Sequence, residues 1–137
     1  MITHETNRAF FETSLVAPAT VTPDRQQAAR RSVPVEGVGD KRVLTDGERT
    51  VEIHHLAGNP HADGLLLVYL PRERLLIQAD AFTPGPPNAP PPAILNPLSV
   101  NLADTITRLG LSVDRLLPLH GRMVPRADLQ RAIGRAN

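Results

Sequence analysis

Two histidines and one aspartate are the residues of this sequence whose types and spacing fit metal chemistry. His61 lies in a loop rich in glycine and proline, Asp80 follows nineteen residues later, and His120 stands just before a glycine. Two imidazoles and a carboxylate leave an open position on a zinc-sized ion, which is typical of catalytic sites and not of closed structural ones. A metal held in this way lowers the pKa of a bound water to about 7, which supplies a hydroxide for hydrolysis.

Two apolar runs predict the strands that bring these ligands together. Leu65–Leu70 and Leu75–Ile77 are separated by a four-residue turn, which predicts a hairpin. Because a hairpin folds back on itself, His61 and Asp80 are expected at the same edge of the sheet. A further apolar run, Arg115–Leu119, predicts a strand that leads to the second histidine. Unbroken apolar runs are typical of strands that are covered on both faces.

Each candidate also has a simpler interpretation. A histidine outside a motif is usually a capping or surface residue, and this interpretation is preferred for His4 and His54, the latter because strand alternation places it away from the core. His55 is expected to face inward, where it donates to a backbone carbonyl or supports a neighbouring ligand. The simpler interpretation of Asp80 is that it ends its strand by accepting hydrogen bonds from backbone amides, and the simpler interpretation of the His-Gly pair near the C-terminus is a sharp turn that glycine permits.

Four short motifs, in this order, resemble the second half of a metallo-β-lactamase-fold hydrolase. The resemblance covers Thr45 to the C-terminus. It implies that His61 and His120 are terminal metal ligands and that Asp80, the expected catalytic residue, bridges two metal ions. The matching motifs are His61-Ala-Asp-Gly64, Leu67-Val-Tyr-Leu-Pro71, Ala79-Asp80-Ala-Phe82 and Leu119-His120-Gly121.

The resembled family has another ligand motif, His-x-His-x-Asp-His, which occurs nowhere in this chain. The sequence therefore resembles only half of the fold. The expected architecture is α/β (α+β), one domain over residues 1–137, with a mixed sheet, helices on one face and half of an αββα sandwich. The complete fold stacks two sheets, and a half-fold would leave an apolar sheet face exposed. We therefore expect a homodimer in which two copies pack sheet on sheet.

The function favoured by this resemblance is hydrolysis of an ester, a lactone or a related bond in a small molecule. The cofactor implied is a divalent metal, with zinc preferred over iron or manganese. One alternative is a non-catalytic assembly module in which the three residues are relics. Another is one piece of a split enzyme whose partner carries the missing histidines.

Composition excludes several other classes of protein. The net charge is +1 and aromatic residues make up 3%, which argues against binding to nucleic acid or to an anionic membrane. The chain has no cysteine, so no disulfide or thiolate metal site is expected. The polar N-terminus does not read as a signal peptide, and no apolar run reaches the length of a membrane span. A cytoplasmic location is the default expectation.

The other predicted elements frame the candidate site. Each is predicted from apolar spacing or from turn and cap residues. Two long loops have no pattern that names a substrate: 17–38, apart from a short helical composition over Asp24–Arg31, and the Pro-rich 83–97, which is either a rigid connection or a substrate-contacting flap. The predicted elements are a helix over 5–16 with Phe10, Phe11 and Leu15 on one side, a hairpin around Asp46-Gly47, a helix from Asn96 to Gly110, and a last helix that begins at Pro125.

Overall fold

The computed structural model describes residues 1–18, 21–22, 25–29 and 32–135. Asp24, Arg30 and Arg31, which belong to the segment expected to be helical, lie outside these residues. The strands are β1 (Ile2–His4), β2 (Glu36–Val38), β3 (Lys41–Thr45), β4 (Thr50–His55), β5 (Leu66–Leu70), β6 (Leu75–Gln78), β7 (Arg115–Pro118) and β8 (Val124–Pro125). The helices are a 3₁₀ turn (Glu5–Asn7), α1 (Arg8–Ser14), α2 (Arg25–Ala29), α3 (Pro97–Arg108) and α4 (Arg126–Ala132).

A six-stranded sheet in the order β3-β4-β5-β6-β7-β8 forms the body of the molecule. Neighbouring strands are antiparallel except β6 and β7, which are parallel and joined through α3. A parallel pair needs such a crossover connection, whereas antiparallel neighbours are joined by short turns. The expected mixed sheet is therefore confirmed. As a consequence, the residues that follow β6 and β7 leave the sheet at the same edge.

Helices α3 and α4 pack on one face of this sheet and enclose the core. Asn96 begins α3 by accepting a hydrogen bond from the backbone N–H of Leu98 at 2.9 Å, and Gly110 ends it with φ +64. Alternate strand residues meet the buried side of the helices. The fully buried large side chains here are Leu56, Leu67, Leu76, Leu102, Ile106, Leu116 and Leu129.

The opposite face of the sheet, which we call the open face, carries apolar side chains that no described helix covers. Its residues alternate with those of the core along each strand, and most are half-buried. The apolar runs of β5 and β6 predicted strands that are covered on both faces. In the single chain the helices cover one face, and cover for the other face stays a prediction. The apolar residues of the open face are Leu44, Val51, Ile53, Leu66, Val68, Leu70, Leu75, Ile77 and Leu117, of which Ile53 is buried.

The N-terminal segment forms a small sheet of its own. β1 pairs in parallel with β2. His4, which is buried, caps the 3₁₀ turn through Nδ1, and its ring lies 3.9 Å from that of His55 between centroids. Phe10 is 66% exposed, so the predicted apolar side of the first helix is only partly used.

His54 is buried, contrary to the expectation that it faces away from the core. Only 4% of the residue is exposed, and in register it lies beside Leu67 on the helix-covered face. Its Nε2 lies 2.8 Å from the Glu52 carboxylate, which also pairs with Lys41 at 3.1 Å. A polar ring is tolerated there because this carboxylate satisfies it. Partial burial raises the pKa of Glu52, but the hydrogen bonds from His54 and Lys41 outweigh burial and leave it lowered.

Among the described residues, no helix is both long enough and apolar enough to span a membrane.

Candidate metal centre

The loop that carries His61 is closed at its base and held from within. The backbone N–H of Leu56 donates to the carbonyl of Leu65 at 2.9 Å, where the loop leaves β4 and enters β5. Asn59, only 3% exposed, accepts a hydrogen bond from the backbone N–H of His61 through Oδ1 at 3.0 Å. A side chain that bonds the backbone two residues later makes a compact turn. The position of His61 is therefore set by a buried amide.

Asp80 occupies a turn that points its side chain out of the sheet. Its φ is +63, a left-handed conformation that aspartate tolerates better than most residues. The side chain of the preceding buried Gln78 spans this turn. Its Oε1 accepts from the N–H groups of Ala81 and Phe82 at 2.9 and 3.1 Å, and its Nε2 donates to the carbonyl of Phe82 at 2.6 Å.

His120 follows the neighbouring parallel strand. The backbone N–H of Leu119 donates to the carbonyl of Gln78 at 2.9 Å, so the chain after β7 stays paired with the end of β6. Gly121 then turns the chain with φ +107 and lies against Pro84 of the Pro-rich loop. The parallel pairing is thus the reason that His120 and Asp80 lie side by side.

The three predicted ligands meet in two pairs that share Asp80. One carboxylate oxygen, Oδ2, lies 3.6 Å from His61 Nε2, and the other, Oδ1, lies 3.2 Å from His120 Nε2. The side chains are 48%, 35% and 63% exposed for His61, Asp80 and His120, so the edge is open to solvent. A ligand from bulk water can therefore reach all three.

These distances suit zinc ligation pair by pair. Two donors bound to zinc at about 2.0–2.1 Å with tetrahedral angles lie about 3.3 Å apart. However, no group of three or more His, Cys, Asp or Glu side chains in the described part of the chain is placed to hold a metal ion together. The residues fit a metal by type and by pairwise spacing, and the exposed imidazoles would have to turn towards a common point.

Sequence reasoning missed the residues that support this edge. Asn59 and Gln78 stand behind His61 and Asp80, and Asn101 of α3 donates to the carbonyl of Ala57 at 3.0 Å. The one available signal was Gln78, a polar residue at the end of an apolar run. The carbonyl bond expected for His55 is present, because its Nε2 donates to the carbonyl of Asp63 at 2.6 Å. The inward orientation expected for it is wrong, because it pairs with Leu66 on the open face and not on the face that the helices cover.

The Pro-rich loop lies beside this edge and packs towards the helices. Arg122 donates to the carbonyl of Gly85 at 2.7 Å and pairs with Asp128 of α4 at 3.3 Å. A cavity of about 270 Å³ lies between the loop and the helices, with Phe82 and Ser99 in its lining. These contacts fit a loop that is fixed at several points. Contact with a substrate remains a prediction.

Comparison with known proteins places the fold. No family model matches the sequence, and no curated protein matches it. Among solved structures, the chain is similar to rubredoxin oxygen:oxidoreductase from the anaerobe Desulfovibrio gigas, with 14% identity and a TM-score of 0.63 over 97% of this chain and 36% of that one. It is also similar to a metallo-β-lactamase from Pontibacter korlensis, with 16% identity and a TM-score of 0.58 over 98% of this chain and 56% of that one.

The DIM-1 metallo-β-lactamase gives a TM-score of 0.52 at 15% identity, over 98% of this chain and 67% of that one. The chain thus has the metallo-β-lactamase fold, as the sequence motifs predicted. It spans between 36% and 67% of the length of these three structures. At these identities the likeness shows the fold alone.

Proposed function

We propose that this chain binds a divalent metal at the edge formed by His61, Asp80 and His120, and that it hydrolyses an ester, a lactone or a related bond. The observation that carries the proposal is the placement of Asp80, whose two carboxylate oxygens each lie next to one imidazole. When bound, a divalent metal supplies a Lewis acid that lowers the pKa of water to about 7. Zinc is the preferred ion, and the mixed donor set also accepts iron or manganese.

Each residue has a separate part in this proposal. His61 and His120 would donate through Nε2, the ring nitrogen that faces Asp80 in each case. Asp80 supplies a negative charge between them, and its two oxygens allow it to serve both sides of the site. The exposed edge would admit a small substrate, and the Gln78 contacts keep the carboxylate turned out of the sheet.

Elemental analysis of protein purified without an affinity tag tests the proposal. We expect about one zinc, iron or manganese per chain, as for a site with open coordination. Asp80→Ala, His61→Gln and His120→Gln should each lose the metal. Asp114→Ala is a matched control, because Asp114 is an exposed carboxylate that pairs with Arg74 at 2.9 Å and takes no part in the candidate site. Native protein that holds no metal and takes up no added zinc would contradict the proposal.

A second candidate function is a non-catalytic assembly module. It is favoured by the absence, among the described residues, of three ligands placed to hold one metal. The same absence fits a split enzyme whose partner supplies further ligands, in which case adding that partner creates activity that neither piece has. Metal uptake by the isolated chain argues against a relic site, and uptake only with a partner supports the split enzyme.

We further propose that two copies of the chain pack through their open faces. The face is apolar across its centre, and the charged residues that the register places on it are Arg42, on the edge strand β3, and Arg115, on β7 next to the edge strand β8. An uncharged centre with a polar rim is the usual anatomy of a protein interface. A second copy is a suitable occupant because it offers the same uncharged sheet and completes a sheet-on-sheet sandwich from one kind of chain. Sedimentation that shows a monomer at micromolar concentration would refute this assembly.

A further inference from the structure

A pair of amides joins helix α3 to the loop of His61. The buried Asn59 donates through Nδ2 to Oδ1 of Asn101 at 3.0 Å. Asn101 in turn donates through Nδ2 to the carbonyl of Ala57 at 3.0 Å, and Asn59 accepts the N–H of His61 at 3.0 Å. Asn101 therefore holds this loop at Ala57 and at Asn59, and Asn59 is itself bonded to His61.

The same part of α3 also holds the turn of Asp80. Ser99 is 4% exposed, and its hydroxyl donates to the carbonyl of Ala81 at 3.2 Å. Ser99 and Asn101 lie two residues apart near the start of the helix. A helix is stiff over so short a length because each backbone hydrogen bond spans one turn. The two ligand-bearing segments are thus fixed to one rigid element.

We infer that Ser99 and Asn101 are positioning residues that set the separation of His61 and Asp80. The effect that we expect of these two residues on metal affinity rests on the proposed function. Metal ligands must be held within about 0.5 Å of their working geometry, and this precision comes from groups behind them. Loss of such a supporting group typically weakens metal binding by about 10–100-fold. The connection of Asn101 to His61 itself exists without any metal.

Hydrogen exchange at the backbone N–H of His61 tests the connection in metal-free protein. Asn101→Ala removes the partner of Asn59 but touches no atom of His61, so a role in positioning predicts exchange at least about tenfold faster. Asn96→Ala is the matched control. It weakens the same helix by removing the cap bond to Leu98 and leaves the loop contacts in place. Equal exchange in Asn101→Ala and native protein would overturn the inference, and so would equal acceleration in Asn96→Ala.

Zinc titration of the same variants then separates this inference from the proposed function. Asn101→Ala and Ser99→Ala should bind zinc about 10–100-fold more weakly than native protein, and Asn96→Ala should match it. Asn101→Asp keeps the acceptor for Asn59 and loses the donor to Ala57. Its zinc affinity should therefore lie between that of native protein and that of Asn101→Ala. Tight zinc binding by native protein and all variants would overturn the inference and leave the proposed function standing. If Asn101→Ala exchanges faster but native protein binds no zinc, the positioning inference stands and the proposed function fails.

Discussion

The side-chain amide of Gln78 is hydrogen-bonded to both backbone polar groups of Phe82. Nε2 donates to the carbonyl of Phe82 at 2.6 Å, and Oε1 accepts its N–H at 3.1 Å. This pairing closes the turn that presents Asp80, and all of its atoms are buried. The turn is therefore held by the side chain of the last residue of β6, in addition to Ser99 of α3.

Replacing Gln78 with leucine should destabilise the protein strongly. Leucine has a similar volume but leaves the N–H and the carbonyl of Phe82 without partners, whereas the N–H of Ala81 keeps its bond to the carbonyl of Ala79 at 2.8 Å. Buried polar groups without a hydrogen bond cost about 1–3 kcal/mol each, so we expect a loss of at least about 2 kcal/mol in the free energy of unfolding. Urea unfolding measures it. A loss below about 0.5 kcal/mol would show that water replaces these bonds.

Variants of Asp80 should separate backbone strain from metal binding. Asp80→Gly and Asp80→Ala both remove the carboxylate, and both are expected to lose the metal. The φ of +63 suits glycine and strains alanine, so the glycine variant should unfold with a free energy about 1 kcal/mol higher than the alanine variant. Thermal unfolding of the two proteins measures the difference. Equal stability would mean that the turn relaxes when the carboxylate is removed.

The elements with local signals were predictable from the sequence. The Asn96 cap and Gly110 bound α3, as expected, and the strands β5 and β6 and the turn between them were found within one residue of the predicted limits. Cap residues, turn residues and apolar periodicity act over a few residues, which is why one sequence reveals them. The approach of His61 to Asp80 followed from the predicted hairpin, whereas the place of His120 was expected from the resemblance to the metallo-β-lactamase fold.

Contacts between distant segments were not predictable. β2 and β8 are very short, and they exist because β1 and β7 offer them partners. Asn59 and Asn101 are 42 residues apart, and nothing local marks them as a pair. His54 was misassigned because strand alternation identifies two faces but does not tell which one the helices cover. Which side of the sheet is the open face could not be predicted for the same reason, because it depends on where the helices pack.

The stability contributed by Glu52 should depend on pH. The pKa of Glu52 is lowered in the folded state by His54 and Lys41 in spite of partial burial, so the ionised form is favoured by folding. Its contribution is therefore fully present above the unfolded pKa and is lost as pH falls through the lower folded pKa. Glu52→Gln should cost about 1–2 kcal/mol near neutral pH. Urea unfolding from about pH 7 to about pH 2 should show native protein and variant converging in acid. A constant difference would contradict the assignment.

A charge at the centre of the open face should prevent dimer formation. Val68 lies on the third strand of the six and is flanked in register by Ile53 and Ile77. Burying a lysine ammonium there without a partner would cost more than an interface can regain, so Val68→Lys should raise the dissociation constant of the dimer at least about 100-fold. Ile94→Lys is the matched control, because Ile94 is 88% exposed on the Pro-rich loop and away from the open face. Sedimentation velocity across a concentration series distinguishes the three proteins. A native dimer that persists unchanged in Val68→Lys would place the interface elsewhere on the chain.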